Sequence, residues 1–113
     1  MRHLILTLSL VLGLAIAANA AFIDNRDAWV KVGDDYQEAF IMGLYEGIIG
    51  ETNDDSRAAK KWKDKVANCM FGMNATSATL KDMIDNYYSD LANWSKPANQ
   101  ALIDALHKTC VKD

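Results

Sequence analysis

Pro97-Ala98-Asn99-Gln100-Ala101-Leu102-Ile103-Asp104-Ala105-Leu106-His107-Lys108-Thr109-Cys110 is the stretch that decides the fold. Ala98, Ala101, Leu102, Ala105, Leu106 and Thr109 recur at spacings of three and four, which puts them on one face of a helix. Pro97 suits the first turn of that helix, where its missing N–H costs no hydrogen bond. The same period runs upstream. Leu80, Met83, Ile84, Tyr87 and Leu91 share a face in a segment that Thr76 or Ser77 can cap. Ala58, Ala59, Trp62 and Val66 form a narrow stripe in a helix running from Asp55 or Ser56 to about residue 68. Tyr36, Ala39, Phe40, Gly43, Leu44, Gly47 and Ile48 line one side of a helix capped by Asp34 and ended by Gly50. A short helix over residues 27–32, anchored by Trp29 and Val32, leads into it. Met70-Phe71-Gly72-Met73-Asn74-Ala75 reads as an apolar connection, and Asn93-Trp94-Ser95-Lys96 as a turn. No sustained polar–apolar alternation of the kind strands need occurs. The expected fold is all-α, a compact bundle of four to five short helices with one disulfide.

The start of the chain has a different composition. Met1-Arg2-His3 is basic, residues 4–18 are uncharged and mostly apolar, and Ala18-Asn19-Ala20 offers a small-x-small cleavage site. This is the layout of a secretory signal peptide over residues 1–20, too short for a comfortable membrane span. Cleavage after Ala20 takes twenty of the 113 residues and leaves a single domain over residues 21–113. That length excludes barrel enzymes and dinucleotide-binding folds of ordinary size. The formal charge of −3 and the lack of a dominant basic face argue against nucleic-acid binding. No other apolar run is long enough for a membrane span, so no membrane partner is expected after cleavage.

Two cysteines, Cys69 and Cys110, lie in the domain. An even count in a small exported protein suggests a disulfide. Closing a loop of that length would stabilise the fold by about 4 kcal/mol on the chain-entropy estimate. Two buried free thiols, or a reactive Cys69–His107 pair, are the alternatives, although no third group is placed to orient such a pair.

Ala39, Gly43 and Gly47 are four apart and make a small-residue groove, read as a seam where another helix of the fold crosses, or as a homodimer seam. Charge is segregated. Residues 24–55 hold nine acidic and two basic side chains, and residues 57–65 hold five basic and one acidic. Such separation either pairs neighbouring helices or steers a charged partner. The single His and two distant Cys of the domain make no zinc pattern, and no calcium-loop spacing occurs. No catalytic residue, metal ligand or cofactor is assigned. Tyr45, Tyr88 and Trp94 fall beside the main apolar faces and are the candidate anchors for a protein partner, since Tyr and Trp are favoured in interfaces. Two glycosylation sequons, Asn74-Ala75-Thr76 and Asn93-Trp94-Ser95, are present.

The order of these features resembles the Rap/Tai family of type VI secretion immunity proteins. Phe40-Ile41-Met42-Gly43-Leu44-Tyr45-Glu46 is similar to that family's aromatic–Gly helix segment. Cys69 followed by Thr76-Ser77-Ala78-Thr79-Leu80 resembles its cysteine, loop and Thr-capped helix. Ile84-Asp85-Asn86-Tyr87-Tyr88 resembles its hydrophobic–Tyr stretch, and Pro97-Ala98 through Ala105-Leu106 to Cys110 its closing helix and terminal cysteine. The chain departs from the family at Phe71, where Pro is frequent, and at Lys108-Thr109, where Phe-Pro often precedes the cysteine. The resemblance implies a periplasmic, non-catalytic protein that occludes a peptidoglycan amidase. A small acid-stress chaperone of the HdeA type shares the size and export but no motif.

Overall fold

The computed structural model describes residues 23–111, and the expected signal segment lies outside them. Five helices follow in order: α1 (Arg26–Lys31), α2 (Asp34–Ile49), α3 (Arg57–Gly72), α4 (Ser77–Tyr87) and α5 (Ala98–Cys110), with one 3₁₀ turn at Leu91–Asn93 between the last two. The described residues contain no strand.

Local chemistry sets the starts. Asn25 caps α1 by accepting from the Ala28 N–H at 2.9 Å. Ser56 caps α3 by accepting from Ala59, while Asp55, the other candidate, accepts from the Thr52 N–H and pairs with Lys63 at 2.7 Å. Thr76 and Thr79 form a reciprocal capping box at α4. Gly33 is the N-cap of α2, and the expected cap Asp34 is instead its first helical residue, where Asp34 and Asp35 face the positive end of the helix dipole.

Helix α4 packs most extensively, lying against α2 on one side and α5 on the other, while α3 closes over α2 and α5. Trp29, Ile41, Val66, Ile84, Leu102 and Leu106 are fully buried at the centre. Ala98, Ala101, Leu102, Ala105 and Leu106 all face inward as their spacing requires, whereas Thr109 is exposed. The entering chain is tied to the far end of the fold: Arg26 N–H donates to the Trp94 carbonyl at 2.9 Å and Ala98 N–H to the Ile23 carbonyl at 2.8 Å. The disulfide joins Cys69 to Cys110 with Cα atoms 5.7 Å apart, so the end of α5 is fixed to the last turn of α3.

Three expectations need correction. First, α3 runs one turn beyond residue 68, through what read as a connection. Asn74, at φ 54°, stops it: the Ala75 N–H reaches back to the Met70 carbonyl and the Asn74 N–H to the Phe71 carbonyl, both at 3.0 Å. This is a Schellman ending, which asparagine supplies at lower cost than other side-chain-bearing residues. Second, α4 ends at Tyr87, and Leu91 lies in the 3₁₀ turn with 70% of its surface exposed. Third, α2 is rotated from its expected face. Its buried residues are Gln37 and Ile41, while Tyr36, Ala39, Gly43 and Gly47 are exposed. Gln37 decides the rotation: it is 5% exposed, and its amide Nε2 donates to the Trp29 carbonyl at 2.8 Å. A polar residue on the inner face hides that face from a search by hydropathy.

Candidate protein-binding groove

The small-residue stripe does not pack inside the fold. A Cβ added at Gly43 or Gly47 would meet nothing within 4 Å, so the crossing of another helix of the chain expected there is not found. Tyr88 is also corrected as a surface anchor. It is 2% exposed, its hydroxyl donates to the Lys96 carbonyl at 2.7 Å, and its ring meets Tyr87 edge-on. Trp94 is exposed and carries the Arg26 guanidinium 4.5 Å from its ring centre, while its indole N–H donates to the Tyr88 carbonyl. Of the other candidate anchors, Trp94 lines a small hollow with Asn25, Arg26, Asp27 and Ser95, and Tyr45 lines a groove between α2, α3 and α4.

That groove, about 490 Å³, is lined by Met42 and Tyr45 of α2, by Ala67, Met70 and Phe71 of α3, by Asn74 and Ala75, and by Leu80 of α4. The Schellman ending builds it. By stopping α3 after Gly72, it turns the chain back so that Ala75 and Leu80 face Met70. Phe71 stands at the rim with 86% of its surface exposed, and Met73 beside it is also exposed. An apolar side chain this open on a disulfide-anchored helix end is the sort of anchor that interfaces bury. Sequence reading missed Phe71 because its segment read as a connection. The usable signal was Asn74, a residue suited to the position after a helix end. Burial pushes the Tyr45 hydroxyl above its ordinary pKa, so it stays a neutral hydrogen-bonding group at the groove wall.

A second groove, about 520 Å³ and more polar, lies between α4, the 3₁₀ turn and α5. Its floor is an internal network. Tyr87 donates to Asp104 Oδ2 at 2.9 Å, Gln100 donates to Asp104 Oδ1 at 2.7 Å, and Asn93 donates to the Tyr87 carbonyl at 3.0 Å. Of these bonds, Tyr87 to Asp104 joins α4 to α5, Asn93 ties the 3₁₀ turn to α4, and Gln100 to Asp104 lies within α5. Asn93, one of the two sequon asparagines, has its amide committed in this network, whereas Asn74 is exposed.

The acidic and basic segments meet at few points. Lys63 bridges the Asp55 carboxylate and the Gly50 carbonyl, which holds Asp55 below the usual carboxylate range. Lys81 joins Asp85 at 2.8 Å and Asp34 at 3.8 Å, linking α4 to α2, and Ser77 donates to Glu38 across the same seam. Glu51 is the exception. Its carboxyl is raised above the usual range, first by hydrogen bonding with the Asp64 carboxyl and then by that group's negative charge, and nearby Lys60 only partly offsets this.

Both cysteines are consumed by the disulfide, which removes the Cys69–His107 pair as a nucleophile and leaves His107 exposed. Among the described residues no three His, Cys, Asp or Glu side chains converge to hold a metal, and no helix is long and apolar enough to cross a membrane. Compared with protein-family models, with curated proteins and with solved structures, the chain matches none.

Proposed function

We propose that this protein is an exported, non-catalytic binding protein whose working surface is the Phe71 groove. On the resemblance of its segments, we further propose that it acts in a bacterial periplasm as an immunity protein. In that role it would occlude a peptidoglycan amidase delivered by a type VI secretion system. The observation that carries the binding reading is Phe71 itself, 86% exposed above an apolar groove on a helix end anchored by a disulfide. The amidase as partner rests on the order of the Phe40–Glu46, Cys69, Thr76–Leu80 and closing-helix segments.

The test is direct. The mature protein is mixed with the purified product of any neighbouring reading frame that encodes a secreted cell-wall amidase, and peptidoglycan hydrolysis is followed. Stoichiometric inhibition supports immunity. Uninhibited hydrolysis, together with a deletion strain that survives sister-cell attack unharmed, rules it out. The exposure of Phe71, Met73, Leu91 and Trp94 also fits a chaperone. In that case an apolar dye would bind far more strongly at acid pH, and aggregation of unrelated proteins would be suppressed there. An immunity protein keeps its fold and its low dye binding.

A further inference from the structure

The polar groove between α4 and α5 is lined by charges that the fold leaves uncompensated. Asp104 lies in its floor, partly buried, and accepts from the Tyr87 hydroxyl at 2.9 Å and from the Gln100 amide at 2.7 Å. Both donors are neutral, and no described cation pairs with this carboxylate. Lys108 follows Asp104 by four residues on α5, with the acid first, which is the favoured order for an ion pair along a helix. That pair does not form. Asp104 is turned toward Tyr87, and the Lys108 ammonium stands exposed on the groove wall with no ion-pair partner among the described residues. Asp90 lines the groove from the turn after α4. One of its oxygens caps the 3₁₀ turn by accepting from the Ala92 N–H at 3.0 Å, and it has no described cation either. Both carboxylates bear on one group: burial, then Asp104, then Tyr88 and Asp90 hold the Tyr87 hydroxyl above its ordinary pKa, so it stays a donor. Met83, Ala105 and the Tyr87 ring supply the apolar part of the lining.

The groove thus presents two carboxylates and one ammonium, not paired with one another, beside a short apolar floor. Its volume of about 520 Å³ is in the usual range for small-molecule sites. A ligand that matches it carries the opposite set of charges, two cations and one anion, on a short aliphatic stem.

We propose that this groove is a binding site for a small basic amino acid of the lysine class. The two ammonium groups of the ligand lie against Asp104 and Asp90, its carboxylate against Lys108, and its methylene chain over Met83 and Tyr87. The site shares no lining residue with the Phe71 groove, so it adds a small-molecule function that stands or falls separately from the protein-binding one.

The experiment titrates the mature, oxidised protein with free lysine, norleucine, cadaverine and glutamate, followed by calorimetry and amide chemical shifts. Lysine is expected to bind and to shift Tyr87, Asp90, Asp104 and Lys108 while leaving Met42 and Tyr45 in place. Norleucine lacks the second amine and cadaverine lacks the carboxylate, so each should bind about three- to fivefold more weakly. Glutamate reverses the charge balance and should not bind. Asp104→Asn keeps an acceptor for Tyr87 and should weaken lysine about tenfold. Lys108→Met, at an exposed position, should weaken lysine about three- to fivefold and leave cadaverine unaffected, a selectivity that a damaged fold would not produce. Circular dichroism checks each variant. If Asp104→Asn does not fold, Asp90→Asn, which keeps a capping oxygen for the 3₁₀ turn, is used in its place and should weaken lysine about threefold.

No lysine-induced shift at the four groove residues overturns the proposal. So does norleucine or cadaverine binding as tightly as lysine, glutamate binding at the same residues, or lysine binding indifferent to the aspartate variants.

Discussion

The indole N–H of Trp29 donates to Asp85 Oδ1 at 2.8 Å, and so joins the shortest α-helix to the last turn of α4. Asp85 also accepts from Lys81, which leans on Asp34, while the Trp29 carbonyl accepts from Gln37. One residue of a six-residue helix thus touches both long neighbours. Trp29→Ala should cost about 3–5 kcal/mol, the usual range for emptying a buried aromatic site. Asp85→Ala should cost about 1 kcal/mol, because Asp85 is partly exposed and water can reach the vacated acceptor position. Urea unfolding of both variants checks the order. Equal losses would mean that the hydrogen bond, not the ring, is what holds α1.

Reduction, or Cys69→Ser, should lower stability by about 4 kcal/mol, since the 41-residue separation makes the unfolded chain much freer. For a domain of this size that is a large part of the total. The double variant Cys69→Ser/Cys110→Ser should lose no more than either single one. A markedly larger loss in the double variant would show that the sulfurs also contribute by packing.

Asn74 holds φ 54°. Asn74→Gly should be neutral or slightly stabilising, and Asn74→Ala should cost about 1 kcal/mol. The Ala variant should also disturb the groove wall at Ala75 and Leu80, visible as shifted amide resonances there.

Gly43 and Gly47 sit inside α2 with open space where a Cβ would go. Replacing each with alanine should therefore raise stability by about 0.4–1 kcal/mol, by restricting the unfolded chain and improving helix propensity. The same variants discriminate the dimer reading. If the stripe is a close seam between two copies, sedimentation will show the alanine variants dissociating at concentrations where the parent pairs.

Burial and then the neighbouring Asp104 push Tyr87 up to about 12, and burial alone does the same to Tyr88. The folded state therefore holds these protons more tightly than the unfolded state, whose tyrosines titrate near 10. Their contribution to stability is complete below pH 10 and is lost as pH rises through 10 toward 12. Absorbance titration should show late ionisation that Tyr88→Phe reduces by one group, and denaturant midpoints should fall across the same window. Ionisation of all tyrosines near pH 10 with no change in midpoint would contradict this.

Much of the bundle was legible along the chain because helices repeat locally. Ala98, Ala101, Leu102, Ala105 and Leu106 show their buried face by spacing alone, and Thr76 and Ser56 cap where side-chain chemistry allows. The failures were of another kind. Tyr88 looked like a surface aromatic, because the Lys96 carbonyl that accepts from its hydroxyl is brought near only by the fold of the following turn. On α2, the small residues Ala39, Gly43 and Gly47 fit an inner or an outer face equally well, and the polar Gln37 looked like an outer residue.

What the sequence determined by itself was the class of fold, the places where helices begin and the even pair of cysteines, because these depend on contacts within a few residues. What only tertiary structure decided was which way α2 turns, and that α3 carries Phe71 on its last turn at the rim of an apolar groove. Those outcomes depend on partners far apart in sequence. The amide of Gln37 needs the carbonyl of Trp29, and the groove needs α2, α3 and α4 together. No period along a single helix encodes where another helix will lie.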